Sequence, residues 1–173
     1  FAPQRPLVVR LHGANAAHAY DEGKPPSRLL KFLEKRNLLM ADQLVAVSDH
    51  MRRTTLAAYG IDRDAEVIWN GVDTTRFSPV AGASEANSVL YVGRIHERKG
   101  IRELLAAWAL VVQRLPAARL HLVGNGTPAY LEALLADVPL AVRESVHFVG
   151  VVPHDQLPAW YNRAQVAVFP SRA

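Results

Sequence analysis

Leu90-Tyr91-Val92-Gly93-Arg94-Ile95-His96-Glu97-Arg98-Lys99-Gly100 is the stretch on which the reading of this chain turns. The β-branched and aromatic run from Val89 to Val92 predicts a buried strand. A glycine-bounded loop follows and opens onto a predicted helix, whose first backbone N–H groups lack partners and favour an anion. Arg94 and Lys99 put two fixed positive charges on that loop. Arg offers phosphate oxygens a planar fork and Lys a mobile point charge, a combination suited to a diphosphate. The plainer alternative for the same residues is a solvated basic turn.

Outward from this loop, strands and helices alternate. Strand Val89 to Val92 is followed by helix Ile101 to Leu115, strand Arg119 to Val123, helix Ala129 to Ala136, strand Val146 to Val149, helix Asp155 to Arg163 and strand Val166 to Phe169. A βαβαβαβ series predicts an α/β fold with a parallel sheet flanked by helices, because each crossover returns the chain to the same end of the sheet. Ligands bind such sheets at the carboxyl ends of the strands. Gly93-Arg94, Gly124-Asn125-Gly126, Gly150 and Pro170-Ser171 all fall there. A tight βα turn accounts for any one of these glycines; four punctuations on one rim point to a ligand.

The first part of the chain repeats the alternation. Leu7 to Leu11 predicts a strand ending in His12-Gly13, Ser27 to Met40 a helix with Ser27 as N-cap, Gln43 to Val47 a strand, Asp49 to Tyr59 a helix capped by Ser48 and closed by Gly60, and Val67 to Trp69 a strand. On the first helix Leu29, Phe32, Leu33 and Met40 fall together at helical spacing, with Arg28, Lys31 and Lys35 on the opposite side. That basic side is read as solvated, with contact to an anionic membrane surface as the functional alternative. From Ser78 to Asn87 the chain turns small and polar, the composition of a linker.

With 173 residues, half of them hydrophobic, the chain can bury a core of one or two domains. A net charge of +4 favours anionic partners generally, but no Lys/Arg stripe interleaved with aromatics points to nucleic acid. There is no cysteine, so disulfides and thiolate metal sites are excluded, no metal is expected, and a cytoplasmic setting is compatible. No apolar run is long enough to span a bilayer, and the first residues lack the pattern of a signal peptide. Phe1-Ala2-Pro3 and Ser171-Arg172-Ala173 both read as cut ends.

Leu11-His12-Gly13, Ala41-Asp42-Gln43-Leu44-Val45-Ala46-Val47-Ser48, Trp69-Asn70-Gly71-Val72-Asp73 with Arg76-Phe77, Val92-Gly93-Arg94 with Lys99-Gly100, Val123-Gly124-Asn125-Gly126, Phe148-Val149-Gly150 and Phe169-Pro170-Ser171-Arg172 occur in this order. Together they resemble the retaining nucleotide-sugar glycosyltransferases of family four, also called group 1, nearly from end to end. The resemblance implies the GT-B fold, two Rossmann-like domains, both incomplete here: 1–78 the later part of the acceptor-side domain and 79–173 the first part of the donor-binding domain. It implies that Arg94 and Lys99 clamp the donor diphosphate and stabilise charge growing on the leaving nucleotide. Gly93, Gly124, Asn125 and Gly126 would let backbone approach the donor, and Val149, Gly150 and Val152 would lie near the base, with core packing the alternative for the two valines. His12 would face the donor sugar from the first domain.

The implied donor is a uridine or guanosine diphosphate sugar, with no tightly bound cofactor. The implied acceptor is a hydroxyl on a glycan, a lipid or a small metabolite, which admits a lipid-linked partner and contact with the inner face of a membrane. The family's first strands and glycine-rich acceptor loop would precede Phe1. Its glutamate pair E-x7-E would follow Arg172, and without that pair the stretch is expected to bind nucleotide weakly and transfer no sugar. A noncatalytic nucleotide-binding protein of the same fold and a GT-B phosphorylase or epimerase are the alternatives. A nicotinamide-dependent enzyme is disfavoured, since Gly124-Asn125-Gly126 stops short of G-x-G-x-x-G.

Overall fold

The computed structural model describes residues 5–12, 27–136 and 138–171. Gly13 lies outside the described residues, as does Arg172. The chain divides into two compact units, Phe1–Val72 and Asp73–Ala173.

In the first unit β1 (Val8–Leu11), β2 (Gln43–Ala46) and β3 (Glu66–Val67) form a parallel sheet in the order β1-β2-β3. Central β2 buries Leu44, Val45 and Ala46, and Leu11, Leu38, Tyr59 and Ile61 join Leu44 and Ala46 in the core. Two helices, α1 (Arg28–Met40) and α2 (Asp49–Tyr59), form the crossovers. The ends of α2 fall where its capping residues predict. The Ser48 hydroxyl accepts the Met51 N–H at 3.1 Å, and Gly60 closes the helix in the left-handed conformation, at φ 56° and ψ 50°.

The orientation of α1 corrects the sequence reading. Leu29, Phe32 and Met40 are 66%, 61% and 61% exposed, whereas Lys31, Glu34 and Lys35 are half-buried beside buried Leu38. Polar contacts with the end of α2 turn the helix this way: Glu34 accepts the Tyr59 hydroxyl, and Lys35 Nζ donates to the Gly60 carbonyl at 3.2 Å. The carbonyl at a helix C-terminus is a favoured partner for a cation. Of the three basic residues, Arg28 is exposed while Lys31 and Lys35 are half-buried against the first unit. Ser27 occupies the N-cap position, but its side chain makes no capping bond.

The second unit is built on β4 (Ser88–Val92), β5 (Arg119–Val123), β6 (Val146–Gly150) and β7 (Val166–Ala167), all parallel in the order β6-β5-β4-β7. Helix α3 (Ile101–Arg114) buries Ile101, Leu105 and Trp108. The Trp108 indole N–H donates to Ser145 Oγ at 2.9 Å, and Ser145 Oγ donates to the Val142 carbonyl at 2.7 Å. Helix α4 spans Pro128–Ala136, and α6 spans Leu157–Arg163, starting beyond the expected Asp155. Between them lies α5 (Leu140–Glu144), which the sequence pattern did not announce. The stretch that reads as a linker is pinned to α6: Asn162 donates to the Ser78 carbonyl at 3.1 Å and accepts the Val80 N–H at 2.7 Å, and the Glu85 N–H donates to the Arg163 carbonyl at 2.8 Å.

His121 on β5 and His147 on β6 are register partners whose rings stack at 5.2 Å, with Trp160 of α6 5.6 Å from His121. Burial holds the His121 imidazole below its ordinary value of 6.5; His147 and Arg163 push the same way and Glu85 opposes them. The unfolded chain takes up this proton near 6.5 and the folded one only at lower pH, so stability falls as pH drops through 6.5 and levels off below the folded value. We expect the melting temperature of the second unit to be lower at pH 5.5 than at pH 7.5, and His121→Gln to flatten that slope. An unchanged slope in the variant would remove His121 from this account.

Candidate functional site

The strand order makes β4 the turning point of the second sheet: β5 and β6 lie to one side and β7 to the other. Open parallel sheets bind ligands outside the carboxyl ends of their strands at the place where the order reverses. The loop after β4 carries Arg94 and Lys99, so the expected pair sits at the mouth of that crevice.

Backbone bonds lock this rim together. The Gly93 N–H donates to the Val123 carbonyl at 2.9 Å, the Ile95 N–H to the Asn125 carbonyl at 2.7 Å and the Gly124 N–H to the Gly150 carbonyl at 2.8 Å. Thus Gly93, Gly124, Asn125 and Gly150, expected separately, form one continuous shelf. At Gly124, φ is 144° and an added Cβ would fall inside the Gly93 carbonyl. At Gly100, φ is 67° and a Cβ would collide with the Pro170 carbonyl, so the loops after β4 and β7 touch through a position that tolerates no side chain. Gly126 is tight as well, with Ile95 and Leu131 each 3.1 Å from where its Cβ would stand.

On this shelf the 94–99 loop is ordered by its own residues. The Tyr91 hydroxyl donates to the Arg94 carbonyl at 2.8 Å, and buried Ile95 pins the loop to the core. Glu97–Lys99 form a 3-10 turn, closed by Gly100. His96 precedes that turn, and its Nδ1 accepts the Arg98 N–H at 3.3 Å. Arg94 is exposed and Lys99 half-buried. Among the described residues neither side chain has an ion-pair or hydrogen-bond partner. The rim amides of Gly93, Ile95 and Gly124 are spent on one another's strands, so the charge that can hold an anion with more than one charged oxygen cluster comes from the Arg94 and Lys99 side chains.

Val149 is placed by a feature the sequence did not signal. Leu122 pairs with Phe148, but Val123 pairs with Gly150, so Val149 is the extra residue of a β-bulge. Bulges next to sites re-aim side chains. Val149 and Val152 are both half-buried at this rim. His12 belongs to the first unit, where it is exposed directly after the last residue of β1. In the same unit Asn70 accepts from Arg10 Nη2 at 2.6 Å. At the start of the second unit Asp73 Oδ1 accepts the Thr75 hydroxyl at 2.6 Å and the Thr75 and Arg76 N–H groups, which hold its carboxyl below the ordinary value. Among the described residues no group of three or more His, Asp or Glu is placed to hold a metal, and no helix is long and apolar enough to cross a membrane.

Comparison with known proteins identifies the family. The profile of the family described as "Glycosyl transferases group 1" matches residues 86–173, and that of "Glycosyltransferase Family 4" matches residues 1–76. The chain belongs to the group 1 glycosyltransferases. Among relatives of this group 1 glycosyltransferase, D-inositol 3-phosphate glycosyltransferase of Thermomonospora curvata is 34% identical over 96% of the chain and 45% of its own length. A GDP-mannose-dependent alpha-(1-6)-phosphatidylinositol monomannoside mannosyltransferase of Mycobacterium tuberculosis is 31% identical over 99% of the chain and 49% of its own length. Sucrose-phosphate synthase from Thermosynechococcus elongatus superimposes with a TM-score of 0.74 at 27% identity, covering 95% of the chain and 44% of that structure. The group 1 glycosyltransferase described here therefore has the GT-B architecture, and it spans about half the length of the curated relatives it matches.

Proposed function

We propose that the second unit binds the nucleoside diphosphate portion of a sugar donor and that the protein it belongs to is a retaining glycosyltransferase acting on a hydroxyl acceptor. The observation that carries this reading is the pair of cations, Arg94 and Lys99, unpartnered among the described residues and set at the switch point of the parallel sheet. In this reading 1–78 lies on the acceptor side and 79–173 on the donor side, with His12 facing the donor sugar. The shelf of Gly93, Gly124, Asn125 and Gly126 brings backbone to the diphosphate, while Val149, Gly150 and Val152 border the base.

The chemistry follows from charge. As the bond between the sugar carbon and the diphosphate oxygen breaks, negative charge grows on the leaving phosphate, where the Arg94 guanidinium and Lys99 ammonium stabilise it. The acceptor oxygen bonds to the same carbon from the same face and its proton passes to the departing phosphate oxygen, which gives retention without a carboxylate nucleophile. The donor is a uridine or guanosine diphosphate sugar. The two relatives named above carry inositol in their names, which makes inositol phosphates the first acceptors to test.

Calorimetry with UDP, GDP, UMP and GMP tests the donor site. The diphosphates should bind more tightly than their monophosphates, and Arg94→Ala or Lys99→Ala should cost about 1.5–3 kcal/mol, the range for a hydrogen bond to a charged group. Equal affinity for mono- and diphosphate in both the unaltered protein and Arg94→Ala would defeat the assignment.

A further inference from the structure

Tyr130 stands in the first turns of α4, after Gly126-Thr127-Pro128, and its N–H donates to the Thr127 carbonyl at 3.0 Å. The ring packs against the core of the second unit. Its hydroxyl is buried and has no hydrogen-bond partner among the described residues. A phenylalanine would fill the same space without stranding a polar group, so this oxygen weakens the free protein. Thr55 is the other orphaned hydroxyl among the described residues, and it belongs to the first unit, where it lines a cavity with Arg10 and Leu11.

The surroundings of Tyr130 belong to the diphosphate loop. Its ring centre is 6.4 Å from that of His96 with the planes 34° apart, and Arg102 and Glu97 are the charges that act on its hydroxyl. Tyr91, whose hydroxyl already serves the Arg94 carbonyl, feels Tyr130 electrostatically as well. His96 Nδ1 accepts the Arg98 N–H, which leaves Nε2 as the ring's donor position, unpartnered among the described residues. An unused imidazole N–H and an unused phenol oxygen thus stand on neighbouring rings, one of them at the head of the turn that presents Lys99.

We propose that Tyr130 is a positioning residue for the diphosphate loop: when the loop bears a diphosphate, the His96 Nε2–H donates to the Tyr130 hydroxyl and fixes the Glu97–Lys99 turn. This rests on the donor-site reading above and adds to it a conformation of the loop that forms its last internal bond only with ligand. The device explains why a costly hydroxyl is kept: free energy withheld in the empty protein is released on binding.

The test is calorimetric titration with UDP, together with thermal melting, on the unaltered protein, Tyr130→Phe, His96→Phe and the double variant. Tyr130→Phe should melt at the same temperature or higher without ligand, yet bind UDP about five- to tenfold more weakly, the loss of one neutral hydrogen bond. His96→Phe should lose a similar factor in affinity, and the double variant no more than either single change. Undiminished affinity in Tyr130→Phe, alongside weakened binding in Arg94→Ala, would overturn this inference and leave the donor site standing. A lower melting temperature for unliganded Tyr130→Phe would show a hydroxyl already satisfied and overturn it too. Failure of the unaltered protein to prefer UDP over UMP would remove the donor-site reading and this inference together.

Discussion

Gly124→Val should destabilise the second unit by about 3 kcal/mol or more, combining backbone strain at positive φ with overpacking. The new Cβ would lie inside the Gly93 carbonyl, which cannot retreat, because the Gly93 N–H is bonded to Val123 at 2.9 Å on the central pair of strands. Denaturant unfolding followed through Trp108 and Trp160 fluorescence reads the change. A useful control is Gly71→Ala, where nothing lies within 4 Å of the new carbon and stability should hold. Any Gly124→Val protein that folds should also lose its preference for nucleoside diphosphates, since the shelf under the loop has been split. An unchanged midpoint would mean that the rim is looser than its hydrogen bonds imply.

Trp108→Ala should cost about 3–5 kcal/mol, the range for truncating a buried aromatic. Trp108 is 3% exposed at the centre of the larger core cluster, packed with Leu105, Leu120 and Leu122 and bonded through its indole to buried Ser145. Truncation leaves a cavity and removes the donor that Ser145 Oγ accepts. Trp108→Phe should fall between the two, retaining most of the packing but not the indole N–H. Melting curves of the three proteins order them, and an alanine variant as stable as the phenylalanine one would contradict the role given to packing.

The strands of the second unit were legible because each is a short apolar or alternating run bounded by turns: Arg119–Val123, with Leu120 and Leu122 alternating against Arg119 and His121, falls as expected, and Ser88–Val92 starts one position early. Helix Asp49–Tyr59 was legible to the residue because Ser48 and Gly60 cap it. The turn of α1 about its own axis was not. Its apolar spacing pointed Leu29 and Phe32 inward, while partners distant in sequence, Tyr59 and Gly60, drew Glu34 and Lys35 there instead. Five residues with no capping side chain, Leu140–Glu144, carry too little periodicity to announce a helix. At the candidate site, Arg94 and Lys99 could be placed on one rim from spacing alone. Sequence offered no sign that Gly100 abuts Pro170, that Val149 is a bulge, or that the Tyr130 hydroxyl stands unbonded, because each depends on a neighbour from another element.

The position of β7 bears on when the crevice comes into being. β4 finds β5 across a single crossover, but Val89 waits for Val166, beyond two further strands and their helices, before its other side is paired. Closing so long a loop costs more entropy than joining consecutive strands, and contacts of high sequence separation form slowly. During synthesis the Arg94 loop is therefore made long before its opposite wall, and the arrival of Pro170 against Gly100 is the event that turns a basic turn into a cleft.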